Sequence, residues 1–125
     1  MTPDAFAPAT LGPVRLRNRI IKAATFEGVT PECLVTDALI DFHRRVAAGG
    51  VGMTTVAYCA VSLDGPTDGH QIHMRAEARP GLLRLTEAIH AEGAPSPLRS
   101  AMPDQSPTRV PPAYRPSRRC ALSTP

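Results

Sequence analysis

The chain has no tryptophan, only three cysteines, and no apolar run near the roughly 20 residues a membrane-spanning helix needs. Cys33, Cys59 and Cys120 are odd in number and lack CxxC spacing, which argues against a disulfide scaffold or a zinc finger and for a reducing compartment. Residues 1–11 have neither a basic start nor an apolar stretch, so no secretory signal is expected and the cytoplasm is the expected location. Glycine is missing from residues 94–125, and that stretch holds a single acidic residue, Asp104.

These absences divide the chain. Residues 1–93 carry all 9 glycines, 9 basic and 10 acidic residues; residues 94–125 carry 8 of the 14 prolines and 5 basic residues. The net charge of +3 therefore comes from the tail, and no basic folded surface for nucleic acid is implied. The tail has neither strand nor helix period, so it is expected to be disordered, and a domain boundary is expected at Gly93. A hydrophobic content of 42% suffices for a core in the front part.

The front part alternates. Arg19–Ala24 is a short apolar run that predicts a buried strand. Thr36 is a good N-cap, with Asp37 in the first turn. Leu39, Ile40, His43, Val46 and Ala47 then recur at helical spacing until Gly49-Gly50. Val51–Val61 predicts a second strand, and Ser62–Gln71 a polar loop. Pro80 opens a second helix with its stripe on Leu82, Leu85, Thr86 and Ile89, ended by Gly93. About 28 residues separate the two strand ends, the length of one βαβ crossover. The expected fold is thus α/β, with a parallel sheet of two βα units. A (β/α)8 barrel takes roughly 250 residues, so two units are the beginning of one.

Chemistry in such folds gathers at the C-terminal strand ends, here Ala23 to Glu27 and Tyr58 to Ala60. Small residues there either let a flat ligand approach or merely fill the core. His70-x-x-His73 has metal-ligand spacing but no third ligand nearby, and His43 and His90 read as boundary or surface histidines. Cys59 reads as a buried small hydrophobe. Gly49-Gly50-Val51-Gly52 follows a helix and precedes a strand, the reverse of a phosphate loop. Pro111-Pro112-Ala113-Tyr114 has the PPxY form of a WW-domain ligand, which chance also yields in a tail this rich in proline.

Leu11-Gly12-Pro13, followed by Leu16-Arg17-Asn18-Arg19-Ile20-Ile21-Lys22-Ala23-Ala24-Thr25, resembles the start of the old yellow enzyme family of FMN-dependent NAD(P)H oxidoreductases. Thr36–Gly52, Met53–Val61 and Pro80–Gly93 resemble the first helix, second strand and second helix of its barrel, so the resemblance covers about residues 6–93. It implies the first two βα units of an FMN-binding TIM barrel, opened by a short hairpin. It also implies a reaction in which NAD(P)H gives hydride to FMN, which passes it to an activated alkene or a related small acceptor. By position, Ala23, Ala24, Thr25 and Phe26 match the segment along the isoalloxazine ring, and Ala60 the flavin edge. Some relatives have Cys or Thr where Phe26 stands, and Phe26 cannot hydrogen-bond as they do.

The resemblance implies a third strand with a Gln and a His-x-Gly element, which residues 94–125 do not spell. Read one frame over, Met102-Pro103 forces Ala, Asp104-Gln105 allows only Ser or Pro, and Gln105-Ser106, with a TCN serine codon, allows only Val or Ile. Residues 95–106 can then encode Val-Ser-Ala-Gln-Val-Gly-His-Ala-Gly-Pro-Val, so the tail is expected to be a frameshift product. The family's substrate-binding pair and phosphate loops then fall outside these residues, and the chain alone is expected to be inactive. The alternative expectation is a non-catalytic product, or an interaction protein acting through the PPxY form.

Overall fold

The computed structural model of the chain describes residues 4–61 and 70–101. β1 (Ala9–Leu11) and β2 (Val14–Leu16) form an antiparallel hairpin with Leu11 opposite Val14. Gly12 turns the corner at φ +56°, where a Cβ is disfavoured. Leu11 and Val14 are exposed and Leu16 is buried, so the hairpin is anchored at its exit.

β3 (Ile21–Lys22) leads through a loop to α1 (Asp37–Ala48). Thr36 caps that helix: its Oγ1 accepts from the Leu39 N–H at 3.3 Å and donates to the Val29 carbonyl at 2.7 Å. Leu39, His43 and Ala47 are the buried stripe. Gly50, at φ +96°, takes the left-handed position that turns the chain back. β4 (Met53–Thr54) and β5 (Val56–Ala60) are one strand interrupted at Thr55. β6 (Ile72–His73) and a short 3-10 turn (Ala76–Ala78) precede α2 (Arg79–Ala91), which has Pro80 in its first turn and Leu85 and Ile89 buried. β7 (Leu98–Ala101) is the last described element.

The sheet is parallel. β3 pairs with β4 through Ile21–Met53 and Lys22–Thr54, and β5 pairs with both β6 and β7. Gly52 and Thr55 donate to the carbonyls of Ile20 and Lys22 at 2.8 and 3.1 Å. On the other side Thr54 and Val56 donate to Pro95 and Pro97 at 3.2 and 3.0 Å. Prolines lack an N–H but accept well, so two of them can lie beside a strand as acceptors. The core of Leu39, Val56, Cys59, Ile72, Leu85 and Ile89 lies where the sheet meets the helices. Ile21 and Leu98 are 44% and 41% exposed. The described residues thus give an α/β sheet with two helices and no closed barrel.

One expectation changes. Paired backbone continues past Gly93: Ala94 is buried, and Leu98–Ala101 adds a third parallel strand position beside β5. Composition could not show this, because the ladder uses backbone groups alone and four residues, Leu98-Arg99-Ser100-Ala101, are too few to display a period. The PPxY form, Cys120 and most of the Ser62–Gln71 loop lie outside the described residues.

Candidate functional site

The C-terminal end of β3 carries four of the five expected site residues in one stretch. Ala23 and Thr25 are exposed, Ala24 between them is half-buried, and Phe26 is 47% exposed. Two small side chains, Ala23 and Thr25, thus stand on the open side of the segment beside Phe26. Ala60 lies at the end of β5, fully buried, in register with His73 of β6 and Ala101 of β7. Its carbonyl accepts from the Met74 N–H at 2.8 Å. Ala60 therefore offers a ligand no exposed surface among the described residues.

Sequence reasoning named Thr25 but passed over its charged partners at this strand end, Lys22 and Glu27. Lys22 Nζ donates to Thr25 Oγ1 and to Glu27 Oε1, each at 2.8 Å, and Thr25 Oγ1 donates to the same carboxylate oxygen at 2.6 Å. The Lys22 ammonium lies 5.3 Å from the centre of the Phe42 ring. Behind them His43, fully buried, bonds Thr54 Oγ1 through Nδ1 at 2.8 Å. Burial, reinforced by the Lys22 charge and opposed by Glu27, pushes the His43 pKa down to about 4. His43 is thus neutral at pH 7 and not a surface histidine. Gly28, at φ +68°, ends the segment, and Phe26, Gly28, Tyr58, His70 and Ile72 line a small cleft beside it. The only signal for the polar ring was the spacing of Lys22, Thr25 and Glu27 around an apolar strand end.

Other candidates carry less. His73 is buried on β6 while His70 is exposed, and no group of three or more His, Cys, Asp or Glu among the described residues could hold a metal. Burial pushes the Cys59 thiol up to about 11. No described helix is long and apolar enough to cross a membrane.

Residues 4–98 match the NADH:flavin oxidoreductase / NADH oxidase family. The chain belongs to that family. It is 61% identical over 93 residues to 4,4'-dithiodibutanoate disulfide reductase of Rhodococcus erythropolis, covering 74% of this chain and 23% of that protein. A metal reductase of Desulforamulus reducens is 43% identical over 89 residues, covering 71% of this chain and 13% of that protein. The chain thus spans less than a quarter of the length of either relative. Among solved structures, a 2-naphthoyl-CoA reductase complex superposes with a TM-score of 0.76 at 28% identity, over 78% of this chain and 15% of that one. Morphinone reductase gives 0.75 at 23% identity, over 80% and 26%. Members of this old yellow enzyme family are FMN-binding oxidoreductases with a TIM-barrel fold.

The end of β3 fits the family's flavin in kind. A flat ring needs small side chains on an open face, and Ala23 and Thr25 supply them. No bulky charged group stands among residues 23–26.

Proposed function

We propose that this chain forms the first flavin-facing part of an FMN-dependent NAD(P)H oxidoreductase of the cytoplasm. The observation that carries the reading is the open row of small residues at the end of β3, in a chain of this family. Ala23, Ala24, Thr25 and Phe26 line the ring, and Ala60 closes the neighbouring strand end from behind. When bound, FMN supplies hydride transfer between a nicotinamide and an acceptor. This chain's residues shape one wall, keep it small and hold its backbone. Phe26 adds apolar surface that excludes water and offers no hydrogen bond.

The proposed acceptor is an activated alkene or a related small molecule. A second reading, an organic disulfide acceptor, is favoured by the 61% identity to a disulfide reductase. Turnover is assigned to a barrel completed beyond these residues, and the 125 residues alone are expected to bind FMN weakly or not at all and to turn nothing over. The proposed source of the missing part is the shifted frame after Gly93. The nucleotide sequence from the Glu92 codon onward tests this. The expected result is an open frame spelling the Gln and His-x-Gly string. Protein made from that frame should purify yellow and oxidise NAD(P)H when either acceptor class is added. Protein from that frame without flavin absorbance sinks the functional reading.

A further inference from the structure

Three side chains around the end of β3 touch one another pairwise. Lys22 Nζ meets Thr25 Oγ1 and Glu27 Oε1 at 2.8 Å, and Thr25 Oγ1 meets Glu27 Oε1 at 2.6 Å. Lys22 Nζ also reaches the Ala23 carbonyl at 3.1 Å. The Lys22 and Glu27 side chains are only 15% and 8% exposed, so an ammonium and a carboxylate have both been withdrawn from water. Desolvating such a pair offsets much or all of its attraction, so its value to the fold is better sought in the geometry it imposes than in net stability.

The geometry is specific. The ring closes over residues 22–27 and brackets the four residues of the open segment. The Thr25 proton points to Glu27 and the Thr25 oxygen receives Lys22, so this hydroxyl is held by the chain and has no proton to offer a ligand. Glu27 Oε2 is buried with no partner among the described residues, so Glu27 is held through Oε1 alone. Without Lys22 the buried carboxylate loses its countercharge and must move out toward water, which releases Thr25.

We propose that Lys22 and Glu27 are positioning residues that fix the backbone of residues 23–26 for a flat ligand on its open face. This rests on the reading of that face as flavin-facing. Amide hydrogen exchange by mass spectrometry tests it on the whole 125-residue chain, with and without about 1 mM FMN. The proteins are wild type, Lys22→Met, Lys22→Arg, Glu27→Gln and the Lys22→Met/Glu27→Gln double variant. Lys22→Met should speed exchange over residues 23–27 by at least about tenfold and leave α2 and the hairpin as they are. Lys22→Arg keeps the charge and donors and should restore wild-type exchange. The double variant removes both charges and should open the segment as Lys22→Met does, even where Lys22→Met itself folds poorly. FMN should protect residues 23–27 in wild type and Lys22→Arg but not in Lys22→Met. Unchanged exchange in Lys22→Met overturns the ring as a device. Equal FMN protection in wild type and Lys22→Met leaves the ring a structural feature only and overturns the positioning role. Absence of protection in wild type overturns the positioning role for a flavin, while the apo exchange still reports whether the ring holds the segment and flavin absorbance of the completed protein separately tests the flavin reading.

Discussion

Arg17 Nη1 donates to the Glu92 carbonyl at 2.8 Å, joining the exit of the hairpin to the end of α2 across 75 residues of chain. The same guanidinium reaches the Val51 carbonyl through Nε at 3.0 Å and the Ala47 carbonyl through Nη2. One planar fork thus serves the C-terminal ends of both helices, where carbonyls lack intrahelical partners and a positive charge is favoured. Arg17 is in this respect a structural clamp, at the end of the sheet away from the candidate site. Arg17→Met should lower stability by about 2 kcal/mol in urea unfolding, since three charge-assisted bonds go while the site remains partly solvated. Arg17→Lys should recover only part, because one ammonium cannot reproduce the fork. A loss too small to resolve from wild type would contradict the clamp.

Gly52 makes a neighbouring prediction. A Cβ there would stand 2.4 Å from the Asn18 carbonyl oxygen and 2.7 Å from Asn18 Oδ1. Neither atom is free to leave: Asn18 Nδ2 is bonded to the Gly50 carbonyl at 2.6 Å, and Oδ1 accepts from the Ile20 N–H at 3.1 Å. Gly52→Ala should cost about 2–4 kcal/mol, as overpacking against fixed backbone does. Gly12→Ala is the control: nothing lies within 4 Å of its Cβ, and only the φ of +56° opposes it, so about 1 kcal/mol is expected. Equal losses at the two positions in thermal or urea unfolding would refute the close approach.

The contrast between these residues and the helices explains what the sequence revealed. Leu39, His43 and Ala47, or Leu85 and Ile89, are legible because burial repeats with the turn of the helix. Thr36 is legible because caps are local. Arg17 reaches carbonyls at positions 47, 51 and 92, and no local pattern encodes which distant carbonyls a side chain will meet. β6 is two residues long and gains its pairing from Cys59 and Ala60, so nothing within it announces a strand. At the candidate site the small residues Ala23 to Thr25 stood out by composition. The Lys22–Glu27 pair did not, because a charge at each end of an apolar run reads equally well as a solvated flank.

His43 sets a pH dependence. Its pKa falls from 6.5 to about 4 on folding because the ring is buried, with Lys22 adding to the effect. The unfolded chain therefore takes up a proton near pH 6.5 that the folded chain refuses until near pH 4. The stability linked to this residue is fully present above about pH 6.5 and is lost as the pH falls toward 4. His43→Gln cannot titrate and should flatten that part of the curve, even if it is less stable overall. Urea midpoints from pH 7.5 to 4 check this; parallel curves for the two proteins would show that His43 does not carry the dependence.

Cys59 bears on how the proposed reaction obtains its electrons. The thiol is fully buried at the end of β5, and burial raises its pKa to about 11, so almost no thiolate exists at neutral pH. Thiol–disulfide exchange needs the thiolate and access to it, and Cys59 offers neither. Under the disulfide reading, exchange at this cysteine is then not the reducing step. Alkylation of the native chain by iodoacetamide at pH 7.5, mapped by mass spectrometry, should leave Cys59 unmodified until urea unfolds the protein. Cys59→Ala or Cys59→Ser should change stability, with serine the worse because its hydroxyl is buried in an apolar core. Rapid labelling of native Cys59 would return it to the list of reacting groups.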